Sequence, residues 1–320
     1  MEKLGMRRFK VMAFLLLLGL VVCIAFGQDT LSIRETSAEN GPMDPKIMTA
    51  PEAIGFGARR IDTDRFLPVG AMQQKMPSGS SQADSMPADI QALVVPHHGV
   101  AAEMAAEAIS LWAQAKTMPT AVILLGPNHE NAGPPAATTR IGWKTAAGPI
   151  DSQMEIIQSL IDQGLVKEDE ALFENEHSMG ALMPWLAKYL PGTPVVPLIF
   201  HYRYPTEDLA ALFSALQPWI DDGAVILVSI DFSHGLSMEA AEKKDRQTRE
   251  YLLENDWKTI AGLDSTHLDA PTLLSAVMAY YAAQGQGGPC ILTNTNAGRL
   301  MKNSRSEVTS YFTLAFGPEK

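Results

Sequence analysis

Four short apolar runs, at 92–95, 121–125, 195–200 and 224–230, most constrain what this chain can fold into. Each is too short for a buried helix and rich enough in Val, Ile and Leu for a fully buried strand. Helical patterns separate them. Residues 101–116 place Met104, Ala108, Leu111 and Trp112 on one face. Further helices are expected over 152–162, 179–190, 207–220, 237–254 and 272–283. Ser152 and Glu155 read as a capping box, with Met154, Ile157, Leu160 and Ile161 facing inward. The helix at 179–190 would form around Pro184, and Pro197 places the 195–200 strand at a sheet edge. Two last strands, 291–293 and 309–316, look antiparallel. Alternating strands and helices predict an α/β fold, a three-layer α/β/α sandwich with a mostly parallel central sheet.

The histidines follow this pattern. His97 and His98, His129, His201 and His234 each follow one of the four strands within four residues. In an open α/β sheet the carboxyl ends of the strands converge on one crevice, where ligands bind. Imidazole is a common metal ligand and titrates near neutral pH. His97 and His129 form the best candidate pair, one strand–helix–strand unit apart. The plainer alternative is two polar side chains bonded to loop backbone. Asp231 and His234 suit general acid–base work, with the carboxylate fixing the imidazole tautomer; a helix cap by Asp231 or Ser233 is the alternative. Glu176 and His177 open a helix. The plain reading is a first-turn carboxylate favourable to the helix dipole with a surface histidine beside it. The functional reading is a catalytic pair that meets substrate or supports the metal-site residues. Asp269 precedes the helix at 272–283 and fits its N-cap. Either Asp269 or His267 could supply a third metal ligand. Two His and one carboxylate suit non-haem Fe(II), and three His suit zinc or copper.

Composition narrows the partners. The formal charge is −11, and basic residues cluster only in the first ten positions, so nucleic acid is excluded as a partner. A small molecule or a protein is left. Lys3, Arg7, Arg8 and Lys10 precede an apolar run at 11–26, then Gly27. Residues 1–27 therefore read as a secretory signal peptide or an uncleaved N-terminal anchor, which implies an exported protein that meets membrane only there. Residues 28–88, rich in Pro, Gly and Ser, read as an extended arm or linker anchored by Phe56 and Phe66. Residues 89–320 form the α/β domain. Beyond the signal only Cys290 is left, so no intramolecular disulfide is expected.

Six blocks occur in the order seen in one family: Val95-Pro96-His97-His98-Gly99, Leu125-Gly126-Pro127-Asn128-His129, Trp143 to Gly148 with Asp151, Glu176-His177-Ser178, Ser229 to Gly235, and Glu307 to Phe312. From about 89 to 317 the chain resembles the Memo family, whose bacterial branch is called AmmeMemoRadiSam system protein B. The resemblance implies a fold similar to the class III extradiol dioxygenases. It implies non-haem iron, or copper, on His97 and His129, with His234 as the acid–base histidine beside Asp231. Animal Memo proteins have a cysteine as third metal-site residue. Matching Pro271 to the proline after that cysteine places His267 at its position, so His267 or Asp269 would replace it here. His98 stands where the family usually has a small residue. The resemblance leaves three functions open: an iron or copper redox enzyme, a metal- or protein-binding module without turnover, and a zinc-dependent hydrolase with Glu176 activating water.

Overall fold

Parallel pairing of four buried strands organises the molecule. The computed structural model describes residues 59–66, 87, 89–115, 118–303 and 307–318. The expected signal at 1–27, and most of the expected arm at 28–88 with Phe56, lie outside these residues. In chain order the elements are β1 (Arg60–Asp62), β2 (Ala92–Val95), α1 (Ala102–Ala115), β3 (Val122–Pro127), β4 (Ala136–Thr138), β5 (Gly142–Thr145) and β6 (Gly148–Ile150). Then come α2 (Met154–Asp162), β7 (Lys167–Glu168), α3 (Glu170–Phe173), α4 (His177–Gly180), α5 (Met183–Tyr189), β8 (Val195–Phe200) and α6 (Thr206–Asp221). The remainder is β9 (Val225–Ser229), α7 (Met238–Leu253), α8 (Trp257–Ala261), α9 (Pro271–Ala283), β10 (Cys290–Asn296), α10 (Ala297–Leu300) and β11 (Ser310–Phe316).

The main sheet runs β10-β11-β2-β9-β3-β8-β4-β7. β2, β9, β3 and β8 are mutually parallel neighbours. β11 and β10 extend the sheet antiparallel on one side, as the sequence predicts. Period-2 alternation sends successive side chains to opposite faces. Val94, Ile123, Leu125, Ile226 and Val228 pack with Ile157, Leu212, Leu216 and Leu274 of the helices on one face. Leu93, Val95, Val122, Leu124 and Leu227 pack with Ile109, Trp112, Met183 and Leu186 on the other. This is the expected three-layer sandwich. Among the described residues no helix is long and apolar enough to cross a membrane.

Local expectations fail where a side chain has a better partner. Gln153, not Ser152, caps α2 by accepting from the Glu155 N–H. Ser152 instead donates its hydroxyl to the Ile141 carbonyl, and Met154 is exposed. The 179–190 stretch is two short helices, because Pro184 lacks an N–H and fits only the first turn of α5. Strand β8 is interior, between β3 and β4. Its Pro197 is tolerated beside the three-residue β4, where the Thr138 hydroxyl bonds the Pro197 carbonyl.

A second, three-stranded sheet joins β1, β5 and β6. β1 runs parallel to β5, and the Thr63 N–H donates to the Lys144 carbonyl. Phe66, three residues on, lies against Gly180, where a Cβ would stand 2.2 Å from its ring. Phe66→Ala should lower the free energy of local opening of β1 by about 1–3 kcal/mol. Hydrogen exchange at Ile61 and Thr63 should accelerate while amides of β3 and β9 stay protected.

Candidate metal centre

Three of the parallel strands end two residues before a side chain with chemistry. Val95 leads through Pro96 to His97, Pro127 through Asn128 to His129, and Ser229 through Ile230 to Asp231. Neighbouring strands place these three positions at one sheet edge. Two further elements close on them. Helix α4 brings Glu176 and His177 beside β3. It can approach because Gly126 has no side chain: a Cβ there would lie 2.6 Å from Met179 Cε and 3.0 Å from Ser178 Oγ. The loop before α9 brings Asp269, held by a bridge between Phe232 and Leu268. The Asp269 N–H donates to the Asp231 carbonyl, and the Asp231 N–H to Asp269 Oδ2 at 3.1 Å.

His97, His129 and His177 converge, with one ring nitrogen of each within 4.8 Å of the others. The His129 and His177 rings stack at 4.0 Å between centroids, and His97 meets both edge-on at 5.0 Å. Asp269 Oδ2 lies 3.4 Å from His97 Nε2 and 3.9 Å from His129 Nε2. Asp231 Oδ1 accepts from the His97 N–H, and its Oδ2 lies 3.6 Å from His97 Nε2. Glu176 receives the His129 ring Nδ1 at 2.7 Å on one oxygen and the His129 backbone N–H at 3.0 Å on the other. It also caps α4 through the Ser178 N–H. A carboxylate accepting from Nδ1 leaves Nε2 of His129 with its lone pair toward the crevice.

The electrostatics agree with a cation site. Burial, then neighbouring imidazoles, hold His97 well below its ordinary pKa. The same causes, burial foremost, lower His177 to about 4, with Glu176 opposing. These rings are neutral near pH 7 and so offer lone pairs. Burial pushes Asp269 up, and Asp231 beside it pushes it further. Burial likewise raises Asp231, against hydrogen bonds from the His97 and His98 backbone. Burial would raise Glu176 too, but hydrogen bonds and charge from His129 outweigh it and the net shift is downward. Asp269 Oδ1 is buried without a hydrogen-bond partner among the described residues. A buried carboxylate with one orphaned oxygen, Oδ1, and the other, Oδ2, beside the His97 and His129 Nε2 atoms is what a divalent cation would satisfy. The residues fit such an ion.

Not every expected residue joins the group. His267 closes a turn begun at Asp264, and its ring stays with that carboxylate at 3.5 Å. Asp269, not His267, reaches the imidazoles from this loop, and Ala270 rather than Asp269 stands at the N-cap of α9. Asp231 turns to His97 instead of orienting His234. His234 bonds the Ser265 backbone, and its buried Nδ1 lacks a partner among the described residues. The carboxylate-held imidazole predicted for Asp231 and His234 occurs at Glu176 and His129. His201 serves its loop, with Nε2 at 3.0 Å from the Ala132 carbonyl. Sequence reasoning gave no role to Ser229, whose hydroxyl meets His97 Nδ1 at 3.0 Å. Nor did it give one to Tyr311, whose hydroxyl lies 3.0 Å from His98 Nδ1. Both fall inside conspicuous blocks, but serine and tyrosine at strand positions read as core.

Comparison with known proteins places this geometry in context. The family model described as Memo-like protein matches residues 72–279. A MEMO1 family protein of Methanopyrus kandleri is 26% identical over 245 residues, covering 74% of this chain and 81% of its own. One from Sulfurisphaera tokodaii is 28% identical over 236 residues, covering 70% and 82%. One from Caldivirga maquilingensis is 28% identical over 210 residues, covering 62% and 72%. Among solved structures, an uncharacterized protein from Escherichia coli K12 is similar in fold, with TM-score 0.50 and 15% identity. The match covers 71% of this chain and all of that one.

The close approach of α4 to β3 gives a test. Gly126→Ala should push on Ser178 and Met179 and cost about 1–3 kcal/mol by overpacking. Denaturant unfolding would read this as a lower midpoint with an unchanged slope. An unchanged midpoint would mean that α4 does not depend on the missing side chain.

Proposed function

Because the chain belongs to the Memo family, we propose that its crevice holds one redox-active transition metal on His97, His129 and Asp269, and that the protein is an oxidoreductase using O2. Non-haem iron is the first choice of metal, and copper the next. One observation carries this reading most. Asp269 Oδ2 stands within 3.9 Å of the Nε2 atoms of both His97 and His129. Two imidazoles and one carboxylate with open positions are the donor set of non-haem Fe(II) oxygenases. Bound iron would supply a place to activate O2 beside an oxidisable small molecule, such as a catechol-like ring.

The chain's own residues then have separate tasks. Glu176 orients His129 and makes it a stronger donor. Asp231 fixes the His97 backbone. His177, stacked on His129, presents a neutral imidazole to the same space. His234 is the proposed acid–base group, because its Nδ1 is buried and without a partner among the described residues, and burial lowers its pKa. If residues 1–27 export the chain, this chemistry takes place outside the cytoplasm.

A second reading rests on the three-imidazole group, which suits zinc or copper as well. Hydrolysis with Glu176 as the base has little support, since both its oxygens already accept from His129. A binding module without turnover differs only in the absence of catalysis.

The test is elemental analysis after anaerobic purification, with an O2-consumption assay on catechols. The unaltered chain should carry near-stoichiometric iron. His97→Ala, His129→Ala and Asp269→Ala should each lose most of it, and His267→Ala should keep it. His234→Ala should keep the metal and lose O2 consumption. Unchanged metal in the first three variants would overturn the ligand set. Stoichiometric zinc would move the reading away from oxygen chemistry, and bound iron without turnover would favour the binding module.

A further inference from the structure

We infer that Ser229 is a positioning residue that fixes the tautomer of His97. This deepens the metal-centre reading and rests on it for its functional meaning. Ser229 is fully buried at the last position of β9. Its Oγ lies 2.6 Å from the Ser178 carbonyl oxygen, which can only accept. The single hydroxyl proton of Ser229 is therefore donated to Ser178. The same Oγ lies 3.0 Å from His97 Nδ1. With its proton already engaged, Ser229 can only accept there, so His97 carries its proton on Nδ1. Its Nε2 is left with a lone pair, directed toward Asp269 and Asp231.

Ser178 also links the two ligand candidates. Its carbonyl receives Ser229, while its N–H is received by the Glu176 oxygen that holds His129 Nδ1. Its own hydroxyl donates to the Pro127 carbonyl, which ties it to the end of β3. One residue at the start of α4 therefore anchors both imidazoles, His129 through a carboxylate and His97 through a hydroxyl. Both rings take the Nδ1–H form, with Nε2 facing the same space. The use of serine at one ring and glutamate at the other also limits the negative charge around His97, which already faces Asp231 and Asp269.

The experiment uses the metal-free chain, with Ser229→Ala and Ser229→Thr. Imidazole ¹⁵N–¹H correlation spectra report the tautomer, and Zn²⁺ titration against a chelating indicator reports affinity. In the unaltered chain His97 should show the Nδ1-protonated pattern. Ser229→Ala should lose that pattern and weaken Zn²⁺ binding about 10- to 100-fold, the usual range for removing a partner of a ligating histidine. Ser229→Thr, which keeps the hydroxyl, should restore both. A merely structural serine would lower the melting temperature without moving the tautomer. An Nε2-protonated His97 in the unaltered chain would overturn the inference. So would a Ser229→Ala variant with the same spectrum and Zn²⁺ affinity. If the unaltered chain binds no Zn²⁺, the metal reading fails, and the spectra alone still decide the tautomer. Should Ser229→Ala fail to fold, the spectrum of the unaltered chain decides.

Discussion

The Glu176 carboxylate is the interaction on which the rest of the site depends. It accepts from the His129 ring, the His129 backbone and the Ser178 N–H. It is buried, so these hydrogen bonds must compensate the loss of water around a charge. They do more than that, since its pKa ends below its ordinary value. The consequence is mechanical. The loop after β3 and the start of α4 are locked together, and His129 has one permitted orientation. Gly126 allows that lock by leaving room for Ser178 and Met179.

The opposite condition holds at Asp231 and Asp269. Their carboxylates are buried side by side, with no lysine or arginine bridging them among the described residues. Each therefore resists ionisation. A protein can tolerate such a pair by sharing protons or by binding a cation. His97, which burial holds well below its ordinary pKa, favours the second solution, because its lone pair and the two carboxylates together form a donor set. The fold supplies this cheaply in structural terms: parallel neighbours β2, β9 and β3 deliver His97, Asp231 and His129 to one edge without any special backbone.

The layers and the parallel core were legible because buried parallel strands are continuous apolar runs, and 92–95, 195–200 and 224–230 fall almost on β2, β8 and β9. The strand-end histidines marked the crevice for the same reason. Less legible were features set by partners distant in sequence. Ser152 has the spacing of a capping residue, but the Ile141 carbonyl takes its hydroxyl. His267 and Asp269 lie two residues apart and were equivalent in sequence terms. The turn from Asp264 decides between them, and it holds the His267 ring away from the crevice. Ser229 is hidden within a strand, where only the positions of Ser178 and His97 reveal its role. His177 reads in sequence as a surface residue or as a substrate-side partner of Glu176, and its stacking on His129 shows only when α4 is seen against β3.

The central claim is that Asp269 joins His97 and His129 around one ion. An anomalous difference map from crystals of the metal-loaded protein tests it most directly. The account predicts one peak at bonding distance, about 2.0–2.2 Å, from His97 Nε2, His129 Nε2 and an Asp269 oxygen, with His267 remote from it. A peak bound instead by His267, or one that leaves Asp269 uncoordinated, would contradict it.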